Sequence, residues 1–524
     1  MKRIAAILLS LLLLLPSCAG KTPSESPPDD PDTEAVESSE SETEEPAEPE
    51  TEEPAPLFED YHSARRALIR LEDLDLPLKY YTAESFEQFR AVRDEVMGQL
   101  NTLGEDQRRA EELYKQLKTA RDALEFVRGD TPRVYIITSG GVGWGYSPCS
   151  VVVVSAEGEK YKVVSDDSAE ISLRGNSTSG ASKSPYNIRF SERVSLLGMD
   201  RGRKWTLLAN LYDKTLMRNY IAYHLAAQMN LPYTSDCRFV EVYLNGEYRG
   251  SYNLIEPITD GRGRVEIDPE NYDFLFEVDM NRNDGSYYFK PKHGQRMKVT
   301  RPEKVDSESR AVLKDFFDLL DAALMTHDMA EYSQYIDVDS FVNFYIHSEL
   351  TKSIDVYDFS TRYFLKDGLL YAGPIWDYDL SMGNVSESCN EDKYFTYCNV
   401  RRFGTGSGDS AEGVWMDNYW FHELLKDPAF CRLVRERFEE LFPVIENLYA
   451  DNGEGRCLID WILSRYGKSF RRNYEQAGWQ ELGRYSGLAK DETLPFNEEV
   501  EWLRSWFERR VAWVAFYLLE LTEE

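Results

Sequence analysis

The hydrophobic period of this chain changes twice, and those changes constrain its fold more than any single motif. From 58 to 128 apolar residues recur at helical spacing. Phe86, Phe89, Val92, Val96 and Leu100 do so in "TAESFEQFRAVRDEVMGQL", then Ala110, Leu113, Leu117, Ala120 and Leu124 in "EDQRRAEELYKQLKTARDALEFV". Thr82 is placed to cap the first helix, with Glu84 in its opening turn. After Arg128 the pattern shortens to β-branched runs, "TPRVYIITSG" and "SPCSVVVVSAEGEKYKVVSDDSAEISLRG". "LNGEY" (244–248) reads as a hairpin turning on Asn-Gly, and "DFLFEVDM" and "GSYYFKPKHGQRMKVT" continue the sheet. From Glu303 the pattern is helical again, with one embedded hairpin at 363–365 and 369–371. It closes on a long amphipathic helix carrying Val500, Leu503, Phe507, Val511 and Val514 on one face. Strands first and helices after predict an α+β, two-lobed architecture.

At 524 residues the chain is too long for one core, so several domains are expected. Its formal charge of −32 would repel phosphates, which argues against nucleic acid as a partner. Part of that charge is local: residues 22–57 hold 14 acidic side chains and no basic one. With eight prolines in 21–56 and almost nothing to bury, 19–57 reads as an extended, disordered acidic linker. Residues 1–18 read as an export signal: Lys2 and Arg3, an apolar run shorter than a membrane span, then "LPSC". The cysteine at the cleavage point resembles a bacterial lipobox, which would make Cys18 the lipidated amino terminus of a membrane-anchored protein. An ordinary signal peptide with Cys18 incidental is the alternative. The spacing of Cys389 and Cys398 permits a loop disulfide, and no CxxC pair or Cys/His cluster points to structural zinc.

Two segments could carry chemistry. In "IWDYDLSMGN" (375–384) Asp377 and Asp379 share one parity, about 6–7 Å apart if the stretch is a strand end. Like charges so placed call for a cation, and Mg²⁺ is bound by one or two carboxylates plus phosphate oxygens. Solvated aspartates leading into a turn are the alternative. Asp355 stands upstream across the short hairpin, with Asp358 its local competitor, so it can approach the pair as phosphoryl transfer would require. "RGNSTSGASKSPYNIRF" (174–190) offers Arg174, Asn176 and Lys183 in a polar loop able to meet phosphates, or simply a surface turn. It matches neither GxxxxGK[ST] nor GxGxxG, and neither GxSxG nor HExxH occurs in the chain. The aromatics of "VGWGYSP" (142–148) suit a sugar- or peptide-binding face, or a core.

Taken in order, four segments resemble the CotH kinase family of atypical protein kinases. They are the loop 174–190, "KWTLLANLYDKTLMRNYIAYHLA", "FVEVYLNGEYRGSYNLIEPI" and "SIDVYDFSTRYFLKDGLLYAGPIWDYDLSMGN". The resemblance implies a two-lobed kinase-like domain over 173–524, preceded by a β-rich segment at 129–172. It implies ATP and Mg²⁺ or Mn²⁺ as cofactors, with Asp377 and Asp379 at the metal-binding "WDxD" element. By the same resemblance Asp355 is the catalytic aspartate, and Lys183, with Arg174 and Asn176, is a candidate for meeting ATP phosphates. Where the family often has an Asn after the catalytic aspartate, this chain has Thr361 and Arg362. The helical segment 58–128 resembles the FIVAR module of surface proteins. The expected function is therefore an exported, membrane-tethered kinase acting on Ser, Thr or another hydroxyl of a cell-surface protein. The alternative is a non-catalytic kinase-like scaffold binding cell-wall or plant polysaccharide.

Overall fold

The computed structural model describes residues 55–72, 80–160, 162–175, 182–280, 284–385, 416, 419–450, 457–476 and 494–523. The signal segment with Cys18, the linker up to residue 54, Asn176, Cys389 and Cys398 lie outside them. The chain is α+β and divides into two compact units. The first holds α1 (Tyr61–Glu72), most of α2 (Ala83–Leu100) and α3 (Gln107–Asp122). Ala64, Leu68, Phe89, Val96, Leu100, Ala110, Leu113 and Leu117 are its buried core; six of these come from the helical stripe read in the sequence, while Phe86, Val92 and Ala120 of that stripe are half-buried. Thr82 caps α2 as expected, its Oγ1 accepting from Ser85 N at 3.4 Å, and Asp106 caps α3.

In the second unit, seven strands close a barrel in the order β1-β2-β3-β4-β5-β7-β6. They are β1 (Arg133–Ile137), β2 (Ser147–Val154), β3 (Val163–Leu173), β4 (Tyr186–Val194), β5 (Gly202–Leu208), β6 (Cys237–Leu244) and β7 (Glu247–Ile255). Every pairing is antiparallel except β1 with β6, which closes the ring. Alternate residues fill the interior, among them Val134, Ile136, Val151, Val153, Ile171, Ile188, Trp205, Val240 and Leu254. The β6–β7 turn is the Asn-Gly read from sequence: Asn245 and Gly246 have φ of 51° and 78°, as a left-handed two-residue turn requires. One barrel thus spans the 172/173 boundary drawn from sequence, because β3 pairs with β4 across it. Between β5 and β6 runs α4 (Arg218–Gln228).

The next strands leave the barrel. β8 (Phe274–Val278), β9 (Tyr288–Phe289) and β10 (Met297–Arg301) join β11 (Arg362–Lys366) and β12 (Leu369–Ala372) in a separate sheet, ordered β12-β11-β8-β10-β9. Sequence periodicity alone places β8–β10 in the first sheet and leaves the β11–β12 hairpin by itself among helices. The register Tyr363↔Phe276 and Phe364↔Leu275 explains the difference, since apolar residues of both segments face each other across one antiparallel ladder. The helices of this part are α5 (Ser307–Leu324), α6 (Met329–Tyr332), α7 (Val338–Thr351), α8 (Asp355–Asp358), α9 (Tyr419–Leu424), α10 (Pro428–Glu446), α11 (Leu458–Tyr474) and α12 (Phe496–Glu523); α7 packs on β12, α10 and α12 on α7, and α11 on barrel strand β7. Aspartates 306, 328, 337 and 427 cap α5, α6, α7 and α10, each accepting from a backbone N–H of the first turn. The predicted face of α12 is buried throughout: Val500, Leu503, Phe507, Val511 and Val514 are each at most 2% exposed. Among the described residues no helix is long and apolar enough to cross a membrane.

A buried ion pair ties α12 to α7. Arg510 meets Glu349 Oε2 at 2.6 Å and donates to its carbonyl at 2.6 Å, while Glu349 Oε1 accepts from Met416 N at 2.6 Å. Both side chains are essentially inaccessible. Replacing Arg510→Leu should lower the unfolding free energy in urea by about 3–5 kcal/mol, because Glu349 would be left buried and uncompensated. Replacing both residues by leucine should recover most of that loss.

Candidate functional site

Asp377 and Asp379 lie in the loop after β12 and not at a strand end. Asp377 adopts φ 66°, which breaks the two-residue alternation assumed from parity. The loop is nevertheless held tightly. Asp377 N donates to Tyr223 Oη at 3.4 Å and Tyr378 N to Asn219 Oδ1 at 2.7 Å, both groups coming from α4. Farther on, Arg218 Nε donates to Ser381 O at 3.1 Å and Met382 N to Thr351 O at 2.7 Å. Asn384 Nδ2 reaches back to Asp379 O at 2.8 Å and Tyr212 O at 2.9 Å. Gly383, at φ 75°, is required: a Cβ there would fall 2.8 Å from Trp506 Nε1.

α4 is itself anchored from two directions. Asn219 Nδ2 donates to Asn210 Oδ1 at 3.0 Å, and Asn210 Nδ2 donates to Asn253 Oδ1 on β7, so a chain of buried amides links barrel to loop. Arg218 and Asp213 form a fully buried pair at 2.5 Å. Asp213 also accepts from the backbone N–H groups of Thr215 (2.9 Å) and Arg218 (2.8 Å).

The carboxylates act on one another. Desolvation raises the pKa of Asp377, and the guanidinium charges of Arg174 and Arg362 work against that rise. Asp379 is raised further, by desolvation and then by the charges of Asp377, Asp355 and Asp213, with a backbone hydrogen bond from Tyr212 opposing. Asp355 opens α8, accepts from Ser360 Oγ at 3.1 Å, and lines a small cleft with Ser360, Thr361, Trp376 and Tyr378. Asp355, Asp377 and Asp379, singled out in the sequence, thus share one electrostatic neighbourhood.

The basic residues divide. Arg174, just past β3, places its guanidinium over Trp376 at 5.3 Å and its charge acts on Asp377. Lys183 is 1% exposed; its ammonium donates to Ser251 O at 2.6 Å and lies 4.9 Å from the Tyr252 ring centre. Burial pushes its pKa well below the usual lysine value, with Asp213 opposing. Asn176 falls outside the described residues. Sequence reasoning missed Asp213, Arg218, Asn219 and Tyr223, although the "YDKTLMRNYIAYH" run (212–224) packs polar and charged residues into a helix with little amphipathic character. It also treated Arg362 only as a departure. Here Arg362 pairs with Glu277 at 3.0 Å and adds countercharge to Asp377.

Among the described residues no three His, Cys, Asp or Glu side chains form a ready metal cage. The donor set still fits a hard cation of the Mg²⁺ type, which takes one or two carboxylates and completes its shell with water and phosphate oxygens. Desolvation first and repulsion by the neighbouring carboxylates second raise Asp379, and such a cation would relieve the repulsion. A family model described as CotH kinase protein matches residues 171–514. No curated protein matches the chain.

Asn219→Leu should cost about 1–3 kcal/mol in unfolding free energy by leaving the Tyr378 N–H and the Asn210 amide unsatisfied, read by urea denaturation. His347, inaccessible on α7, contacts Ala222 O through Nε2 at 3.0 Å and stands edge-on to Tyr378. Burial lowers its pKa from 6.5 to about 4. Its folded value lies below its unfolded one, so its contribution is complete above pH 6.5 and is lost as pH falls toward about 4. The loss is on the order of 3 kcal/mol. Stability measured against pH should show that acid limb, and His347→Phe should flatten it.

Proposed function

The chain belongs to the CotH kinase family, and from that premise we propose that it is an ATP-dependent kinase. Its γ-phosphoryl acceptor is a Ser, Thr or other hydroxyl on a cell-surface protein. The observation that carries the reading is the carboxylate cluster of Asp355, Asp377 and Asp379, compensated by Arg174 and Arg362. In this reading Asp377, assisted by Asp379, holds Mg²⁺ or Mn²⁺. The bound cation supplies neutralisation of phosphate charge. Asp355, oriented by Ser360, accepts the proton of the attacking hydroxyl. Arg174 meets phosphate oxygens from the barrel side, and Lys183 keeps a structural place under the same strands. Arg362 takes over charge compensation where an Asn would hold a second metal. The barrel and the second sheet with its helices then act as the two lobes of a kinase-like domain.

The proposal extends to location. Residues 1–18 direct export and Cys18 carries a lipid anchor, with 19–57 as a self-repelling spacer and the α1–α3 segment as a FIVAR-like module. A second reading, a non-catalytic scaffold for cell-wall or plant polysaccharide, is favoured by Trp144, which is 63% exposed in the aromatic "VGWGYSP" segment.

Incubating the purified protein with labelled ATP, Mg²⁺ or Mn²⁺ and surface-protein extract separates the two. Asp355→Ala should reduce transfer by roughly 10²–10⁴-fold while sparing metal-dependent nucleotide binding. Asp377→Ala should abolish both. Absence of transfer and of metal-dependent nucleotide binding in the unsubstituted protein would overturn the kinase reading.

A further inference from the structure

The face of α4 adjacent to the one that meets Asp377 borders a second cleft. Asn219 and Tyr223, four residues apart, hold the 377–378 backbone, whereas Tyr220 and His224, each one residue further on, line a cavity of about 590 Å³. That size lies within the ~300–1,000 Å³ range of small-molecule sites. Barrel strands β2, β3 and β6 and the start of α11 complete its walls, so it shares no lining residue with the carboxylate cluster.

Its chemistry is specific. Three rings form a stack: His224 on Tyr220 at 6.4 Å and 15°, and Trp461 on Tyr220 at 6.3 Å and 24°. Phe239 backs Tyr220 at 4.7 Å. Trp461 is 42% exposed, so part of its indole remains available at the rim. The Tyr220 hydroxyl and the His224 ring nitrogens have no hydrogen-bond partner among the described residues. Burial raises the Tyr220 pKa and lowers that of His224, so both are neutral near pH 7 and each can donate and accept. Arg238 is already held by Asp236 at 2.6 Å, and Arg465 by Glu159 at 2.7 Å. The remaining charges of the lining are the exposed ammonium groups of Lys160 and Lys162.

We propose that this cleft binds an acidic sugar residue of a polysaccharide, a uronate. The apolar C–H face of the pyranose lies on Trp461, its hydroxyls meet Tyr220 and His224, and its carboxylate meets Lys160 and Lys162. Groups that both donate and accept match sugar hydroxyls, which do the same, whereas each polar atom of a nucleobase is fixed as a donor or as an acceptor. The overall charge of −32 does not forbid an anion here, because at physiological salt charges beyond about 8 Å are largely screened and the two nearby lysines dominate at contact. The inference is independent of the kinase reading.

Calorimetric titration of the full chain with an oligogalacturonate and an oligoglucuronate tests it, with a neutral galactose oligomer as control. At least one uronate should bind, weakening with added salt, and the neutral oligomer should bind roughly tenfold or more weakly. Trp461→Ala, and separately Lys160→Glu with Lys162→Glu, should each weaken uronate binding by roughly tenfold or more. These positions are exposed, and an unchanged melting temperature would establish that the variants are folded. Binding of neither uronate, binding indifferent to both sets of substitutions, or equal binding of the neutral oligomer would overturn the proposal. So would ATP binding that depends on Trp461 when neither uronate binds.

Discussion

Placing Asp377 and Asp379 one residue apart, both partly buried and with Asp355 and Asp213 in range, is the constraint around which the second unit is organised. Two unit charges at ~4 Å interact by about 4 kcal/mol near a protein surface, and the net stability of a domain is only ~5–15 kcal/mol. Such a cluster persists only where the surrounding fold offsets it. Here the offset comes from separate parts of the chain: Arg174 follows a barrel strand, Arg362 begins a strand of the second sheet, and Arg218 neutralises Asp213 from α4. The site therefore exists only when both sheets are formed.

α4 is the element through which that dependence runs. Its polar residues face inward, which is why its apolar pattern is weak and its course hard to read from periodicity. Asn219 relays the register of β7, through Asn253 and Asn210, to the backbone at Tyr378. Tyr223 accepts the N–H of Asp377, and Arg218 holds the carbonyl of Ser381. A residue at positive φ such as Asp377 carries local strain, of order 1–3 kcal/mol for an unfavourable backbone region. These surrounding hydrogen bonds are what fix it there. The adjacent face of the same helix, about 100° around, lines the aromatic cleft, so one helix serves two chemically different surfaces.

Sequence pattern made the local structure legible and the long-range pairing only partly so. The α2 cap at Thr82, the Asn-Gly turn at 245–246, the hairpin at 363–371 and the buried face of α12 all follow from short-range rules, and all are present. What periodicity does not encode is which strand meets which. β8 and β10 look like a continuation of the first sheet, yet β8, with β10 on one side, pairs on its other side with β11 of a hairpin roughly 80 residues downstream by chain position. Likewise, Asp355, Asp377 and Asp379 were visible as candidates because carboxylates among large apolar residues are conspicuous. Asp213 and Asn219 were not, since a buried polar residue looks like a surface one until its partners are known. Asp377 and Asp379 are neighbours for a different geometric reason than parity suggested: a positive φ at Asp377, and not a pleated strand, sets their relation.

The fate of the two basic residues in the 174–190 loop shows what the fold asks of its countercharge. An ammonium loses its proton readily when buried, and Lys183, enclosed beside Ser251 and Tyr252, has its pKa driven well below the ordinary value. A guanidinium keeps its charge under the same desolvation, and its planar face can rest on an aromatic ring as Arg174 does on Trp376. Near Asp377 the chain uses two such groups, Arg174 and Arg362. The positive side of the site is then fixed across the physiological range, and proton uptake is left to the carboxylates. An opposing cation relieves Asp377 and Asp379 without competing with a titrating neighbour, which is the electrostatic condition a phosphate-bound metal needs.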